Sequence, residues 1–362
     1  MRVLILSPTP PPRGVLRSLT SLGVEPIVAR AGADGETDGL VQYLRVSSRG
    51  DPEKPMDLRW SRRGLRAVVR DVGPALLHVV GDPWTPTAEA GAAAARDLKI
   101  PYVLVTTSSV GGPSGIASRW QSDKVSAGAA GLAGTVRSAL DHQLGGASTP
   151  RPTAVVPPGG LPIPATWTPR SAPNPVVFAC VGRLVPERGV DLLLDALGAT
   201  FGDWLLRVVG TGPMHEALEQ QAQRLGLSAK TEWLGAMPRD QLPAFWNEVD
   251  VCLAPSRSTP EWVEPTGAVV LQAMAHGVAP VVSRCGALPD VVADSGLVVD
   301  EGDAAALSRA VQGFVADPMR CRTVGAVARE RVLEQYGDGP VAERMLLLWR
   351  RVLEQQLLVA SR

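Results

Sequence analysis

Two arginines five positions apart give the chain its first chemical signal. Arg183 and Arg188 lie in Val181-Gly182-Arg183-Leu184-Val185-Pro186-Glu187-Arg188-Gly189, between an apolar strand-like run and a helical pattern. Loops at the carboxyl ends of strands bind ligands in α/β folds, and a helix N-terminus adds oriented N–H donors and a favourable dipole. Fixed guanidinium groups in that setting suit a diphosphate leaving group, whose oxygens accumulate charge as it departs. An ordinary surface arginine pair is the competing reading, because loops are where arginines usually sit.

Two further stretches weigh on that choice. Val208-Val209-Gly210-Thr211-Gly212-Pro213 follows a strand pattern and precedes a helix carrying Leu218, Ala222 and Leu225. Gly210 and Gly212 permit a tight turn and close ligand approach, although Gly-x-Gly-Pro alone is weak. Position 215 is His, so the third glycine of a dinucleotide fingerprint is missing, and the first strand does not lead into Gly-x-Gly-x-x-Gly either. An NAD-dependent enzyme is therefore the lesser reading. The most specific stretch spans 250–289, DVCLAPSRSTPEWVEPTGAVVLQAMAHGVAPVVSRCGALP, and reads as strand, loop, helix, strand and a second glycine turn.

This order of motifs resembles the retaining GT-B glycosyltransferases of family 4, the glycosyl transferases group 1, over most of residues 176–340. The family signature is a Glu, seven residues and another Glu, followed by a small-residue helix and a buried strand. Glu264 fills the first position, while Gln272 stands at the second, a departure from the family. Arg188 occupies the place of the usual lysine, exchanging a compact ammonium for a planar bidentate group. The resemblance implies an α/β chain of two Rossmann-like domains facing each other across a cleft. It also implies a nucleoside diphosphate sugar donor, retained anomeric configuration and no obligatory metal or cofactor, the arginine pair supplying the charge a metal would. UDP is the first expectation for the nucleotide and GDP the second.

By the same resemblance Arg183 and Arg188 hold the diphosphate and Glu264 accepts hydrogen bonds from hexose hydroxyls. Gly182, Gly210, Gly212, Pro265, Thr266 and Gly267 line the donor site, and Gln272 reaches the ribose. Eight residues at about 1.5 Å rise separate positions 264 and 272 by about 12 Å if most are helical, roughly the span of a nucleotide sugar. A ribose diol bonds a glutamine carbonyl as well as a carboxylate, with loss of charge assistance. The plain structural alternative for Glu264 is a carboxylate complementing a helix dipole.

The N-terminal half matches the family less well. The usual glycine pair after the first strand is reduced to Pro12-Arg13-Gly14, and the family's middle-strand histidine is absent from Val105-Thr106-Thr107-Ser108-Ser109. Arg13, Gly14, Thr107 and His78 are the acceptor-side candidates, with a satisfied core histidine as the bland reading of His78.

The elements that must position these residues alternate in type. Apolar runs at 3–6, 27–29, 75–80 and 101–105 interleave with helical patterns ending near Gly23 and spanning 87–98, which argues for parallel α/β units. Clustered Pro, Gly, Ser and Thr between 145 and 175 mark a junction. The pattern restarts at 176–181, and Val190, Leu193, Leu194 and Leu197 recur at helical spacing. The expected division is 1–165 for an acceptor-binding Rossmann-like domain, 166–175 for a linker with the hinge near 165–175, and 176–340 for the nucleotide-sugar-binding domain. At 341–362, Met345, Leu348 and Val352 mark a helix that can cross back to the first domain.

Composition narrows the classes further. At 362 residues, with 45% hydrophobic and 20% charged, the chain suits two ordinary domains of a cytoplasmic, soluble enzyme. Lys plus Arg (36) equals Asp plus Glu (36), removing the usual electrostatic case for nucleic-acid or anionic-membrane binding. Prolines at 8, 10, 11 and 12 cut short the opening apolar run, and no stretch reaches membrane-spanning length. Cys180, Cys252, Cys285 and Cys321 lack a Cys-x-x-Cys pair and read as reduced and structural. The expectation is transfer of a hexosyl or N-acetylhexosaminyl group to a hydroxyl of a small molecule, such as a bacterial natural-product intermediate, or of a glycolipid. The alternatives are another GT-B reaction, epimerisation of a nucleotide sugar or coupling of a cyclitol, and a non-catalytic nucleotide-sugar-binding homologue.

Overall fold

The structure, a computed structural model, describes residues 1–31, 39–51, 54, 56–112, 115–145, 149–168 and 171–361. Residues 146–148 of the expected junction and 169–170 of the expected linker lie outside them. Contacts divide the chain into two compact units, Met1–Gly160 with Tyr336–Arg362, and Leu161–Gln335.

In the first unit the strands are β1 (Arg2–Leu6), β2 (Glu25–Ala31), β3 (Gln42–Val46), β4 (Ser48–Arg49), β5 (Arg59–Trp60), β6 (Leu76–Val80), β7 (Tyr102–Thr106), β8 (Gly131–Gly134) and β9 (Thr153–Val155). Seven of them form one sheet in the order β3-β2-β1-β6-β7-β8-β9, parallel throughout, and β4 and β5 make a small antiparallel pair. Val3, Leu4, Ile5 and Leu6 are all fully buried, as expected of a parallel strand covered on both faces. Leu4 and Leu6 face a core shared with the alanine-rich helix Pro86–Leu98. Small side chains let that helix lie close, and at Gly91 even a Cβ would come within 2.7 Å of Val79. Val3 and Ile5 face the other core, built with Val15, Leu16 and Leu19 and with the helix Asp338–Ala360. Met345, Leu348, Trp349 and Val352 of that helix are buried there.

The second unit contains β10 (Val176–Val181), β11 (Trp204–Val209), β12 (Thr231–Gly235), β13 (Val251–Ala254), β14 (Ala279–Ser283) and β15 (Leu297–Val299), in the order β12-β11-β10-β13-β14-β15. All pairings are parallel. The stripe Val190, Leu193, Leu194 and Leu197 is buried against this sheet on the helix Val190–Gly198.

The division falls at Gly160/Leu161, ahead of the 166–175 segment read as linker. Side-chain anchors explain the difference. Trp167 Nε1 donates to the His276 carbonyl at 3.0 Å, Arg329 Nη2 to Pro164 O at 2.7 Å, and Arg322 Nε to Ser171 O at 3.0 Å. Gly277 leaves room for the Trp167 ring, which a Cβ would meet at 2.5 Å. All four cysteines are free and buried, and burial pushes Cys180 up to about 11 and Cys321 up to about 12.

Asp250 ties the second sheet to its outer helix. Its carboxylate is 2% exposed as a residue, accepts from Val177 N at 2.8 Å and pairs with Arg322 on the helix Met319–Tyr336. Removing the cation strands a buried charge, so Arg322→Ala is expected to cost about 3 kcal/mol, read as a lower denaturation midpoint at pH 7 in urea.

Candidate active site

The loop after β10 owes its shape to backbone approach. Gly182 N donates to Val209 O at 2.9 Å, Leu184 N to Thr211 O at 3.0 Å and Met214 N to Leu184 O at 3.1 Å. A Cβ at Gly210 would lie 1.8 Å from Gly182 O, and one at Gly212 2.3 Å from Leu184 O. The glycines of Gly-Thr-Gly-Pro are thus demanded by the neighbouring loop, a use the sequence reading did not assign. Gly189, at φ 67°, turns the chain into the helix Val190–Gly198 where a Cβ would strike Pro255 O.

Arg183 projects from this loop exposed, and its side chain has no partner among the described residues. Arg188 is held differently. Its Nη1 donates to Glu264 Oε2, and its guanidinium lies over the Trp262 ring at 5.2 Å. Between them, Arg257 braces the loop, donating to Pro186 O at 2.7 Å and pairing with both oxygens of Asp191 at 2.8 and 3.0 Å.

Glu264 is 6% exposed, just ahead of the helix Ala268–Ala275. Its Oε1 accepts from Gly267 N at 3.3 Å, where Gly267 takes φ 61° to start the helix. The carboxylate thus serves the helix end, as the plain structural reading has it, and also binds Arg188, a pairing the sequence reading did not assign. Its backbone is seated on the second glycine turn. Ala287 N donates to Glu264 O at 2.9 Å, and a Cβ at Gly286 would lie 2.3 Å from that oxygen. Arg188, Glu264, Gly267, Ser256 and Cys180 line one small pocket. The Ser256 hydroxyl and Glu187 Oε2 are buried without partners among the described residues. Pro265 is exposed, Thr266 and Gln272 are half-buried, and Gln272 has no side-chain partner among the described residues.

In the first unit His78 is 3% exposed, and its Nδ1 accepts from Trp349 Nε1 at 3.1 Å. That bond places the neutral ring's proton on Nε2, and burial lowers its pKa to about 4. Gly14 lies where a Cβ would overlap Asp338, whose Oδ1 accepts from Gly160 N at 2.8 Å. Arg13 is exposed at the start of the helix Arg13–Ser21. Thr107 is held by Asp82, which accepts from Thr107 N at 2.9 Å, Thr107 Oγ1 at 3.2 Å and Ser108 N at 3.0 Å. His78, Thr107 and Asp82 border a cavity of about 410 Å³, whereas Arg13 and Gly14 do not line it. Among the described residues no cluster of three or more His, Cys, Asp or Glu could hold a metal ion, and no helix is long and apolar enough to cross a membrane.

Residues 167–331 match the family described as glycosyl transferases group 1. The segment 167–331, just under half of the chain, carries this family's domain. Sucrose-phosphate synthase from Thermosynechococcus elongatus has the same fold, with a TM-score of 0.68 over 99% of each chain at 20% identity. The Anabaena protein HepE, solved in complex with UDP, has a TM-score of 0.68 over 96% of this chain and 98% of its own at 16% identity. These likenesses show the GT-B fold. A GDP-mannose-dependent alpha-(1-6)-phosphatidylinositol monomannoside mannosyltransferase from Mycolicibacterium smegmatis is 36% identical over 167 residues, 44% of either chain. A 2-deoxystreptamine N-acetyl-D-glucosaminyltransferase from Streptomyces fradiae is 33% identical over 191 residues, 49% of this chain and 42% of its own. The chain spans about half the length of the curated relatives it matches.

Sequence reasoning missed Asp82, Ser256 and Trp262. Asp82 sits 25 positions from the loop it holds, and no local spacing signals such a bond. Trp262 has a sequence signal in Pro-Glu-Trp-Val-Glu, two positions before Glu264.

The His78 environment sets a pH dependence. The folded pKa near 4 lies below the ordinary 6.5, so the unfolded state binds more protons between those values and stability falls as pH drops through that window. At pH 4.5 the group should remove about 2 to 3 kcal/mol relative to pH 7. Urea denaturation at both pH values should show this loss in the wild type and its absence in His78→Gln.

Proposed function

We propose that the chain is a retaining, metal-independent glycosyltransferase of the cytoplasm, moving a hexosyl or N-acetylhexosaminyl group from a nucleoside diphosphate sugar to a hydroxyl of a bacterial natural-product intermediate. The observation that carries this reading is the Arg188–Glu264 pair at the mouth of the helix Ala268–Ala275, with an exposed Arg183 five positions before Arg188 in sequence, within the segment that matches the family. A guanidinium has five N–H donors and a carboxylate about four acceptor positions, so the pair leaves each partner free for substrate. Arg188 and Arg183 meet the diphosphate from a loop that contains Gly182 and that Gly210 and Gly212 let pack closely. Glu264 accepts from hexose hydroxyls, the amides of Thr266 and Gly267 face the sugar or diphosphate next to Pro265, and Gln272 takes the ribose.

In the transfer step the bond from the anomeric carbon to the diphosphate oxygen breaks, and its electron pair leaves with the diphosphate. The acceptor oxygen forms the new bond on the same face, and its proton passes to the departing diphosphate oxygen. The arginines stabilise the charge arriving there, and no protein nucleophile takes part. On the acceptor side the proposal keeps His78 and Thr107, which border the cavity, and sets aside Arg13 and Gly14, which do not line it. His78 is neutral at pH 7 and carries its proton on Nε2, so its role is to donate a hydrogen bond, not to take a proton.

UDP is the first reading for the nucleotide. GDP is the second, favoured by the GDP-mannose-dependent relative at 36% identity. Nucleotide-induced thermal shifts will rank the two, the preferred nucleotide raising the melting temperature more at equal concentration. Arg183→Ala and Glu264→Ala should each lower kcat/KM for transfer by about 10²–10³. Unchanged turnover and donor affinity in both variants would remove the assignment.

A further inference from the structure

We infer that the cavity of the first unit takes the apolar body of an uncharged, hydroxyl-bearing acceptor, an aromatic or alicyclic alcohol, with His78 as its orienting residue. This inference rests on the transfer reading and specifies its acceptor. The cavity, about 410 Å³, is bordered by residues that follow β1 and β6, at Ser7 and Asp82, together with Thr107 and Thr135 beyond β7 and β8. The strand order reverses between β1 and β6, the place where open parallel sheets bind ligands. Its volume is within the range of small-molecule sites.

The walls are mostly hydrocarbon. Val80, Val105, Val156, Pro157 and Met345 line it, and Pro8, Pro10, Pro11 and Pro12 form a rim without backbone N–H donors. Among the described residues of the lining, Asp82 is the sole acidic or basic one besides His78. Its two oxygens are already engaged by the Thr107 and Ser108 amides and the Thr107 hydroxyl. His78 accepts the Trp349 N–H and stays neutral at pH 7. A phosphorylated acceptor finds no cation in this lining, and an ammonium-bearing cyclitol finds only a carboxylate committed to its own loop. Desolvating either without a partner is costly.

An N–H of the lining is left for a ligand. His78 borders the cavity, its Nδ1 is taken by Trp349, and its Nε2–H has no partner among the described residues. A ligand hydroxyl can accept from it.

The test is isothermal titration of the full chain, without donor, using thymol and menthol as neutral probes and streptamine and glycerol phosphate as charged ones. At least one neutral alcohol should bind and neither charged probe should. Val80→Phe, which fills the cavity, should weaken binding at least about tenfold, and His78→Phe about three- to tenfold for one lost hydrogen bond. If Val80→Phe fails to fold by thermal melting, Thr9→Trp on the exposed rim takes its place with the same expectation. Binding of neither neutral alcohol, tighter binding of a charged probe, or undiminished binding by the filled variant overturns the inference. A nucleotide titration run in parallel separates the two claims. Nucleotide binding without alcohol binding removes only this inference, and absence of nucleotide binding removes the transfer reading instead.

Discussion

A buried carboxylate that binds an arginine with one oxygen and a helix start with the other organises the second unit. Glu264 is nearly sealed from water, and a charge so placed must be paired and hydrogen-bonded to persist. Arg188 and Gly267 N meet that requirement. The glycine turn at Gly286 and Ala287 fixes the carboxylate's backbone, and Trp262 covers the guanidinium's face. Arg188 therefore cannot sweep through solvent as a surface arginine does. Its charge is already aimed, which is the condition under which electrostatic stabilisation of a leaving group costs no reorganisation.

The two arginines consequently differ in kind. Arg183 is exposed and unpaired among the described residues, suited to first encounter with an anion. Arg188 shares its charge with Glu264 and is stiffly held, suited to orienting a diphosphate relative to the sugar proposed to meet Glu264. The first unit follows a different logic. Its cavity relies on rigid prolines and strand-end valines, the Asp82 carboxylate is taken by the Thr107 loop, and His78 is neutral and anchored by Trp349. One unit thus presents fixed charge and the other presents fixed apolar shape.

Much of the fold was legible because parallel strands buried on both faces appear as uninterrupted apolar runs. The segment 176–181 coincides with β10, and Met345, Leu348 and Val352 marked the buried stripe of the last helix. The strand Gly131–Gly134 is four residues without a β-branched side chain, and Leu297–Val299 has only three, too short for any period to register. In the candidate site, residue types and order could be read from sequence, but pairings could not. Arg188 and Glu264 are 76 positions apart, and only the sheet topology brings them together. Gly210 was visible as a glycine that mattered, while the reason, a carbonyl of the preceding loop pressed against it, belongs to tertiary structure. His78 shows the same limit, since its partner Trp349 lies 271 positions away.

Hydrogen–deuterium exchange of the full chain, with and without a saturating nucleoside diphosphate sugar, tests the central claim most directly. Donor bound by the Arg188–Glu264 arrangement should slow exchange in 182–189 and 264–272 together, leaving the outer strand β12 unchanged. Saturation of the protein with donor while both segments exchange at their ligand-free rates would contradict the account.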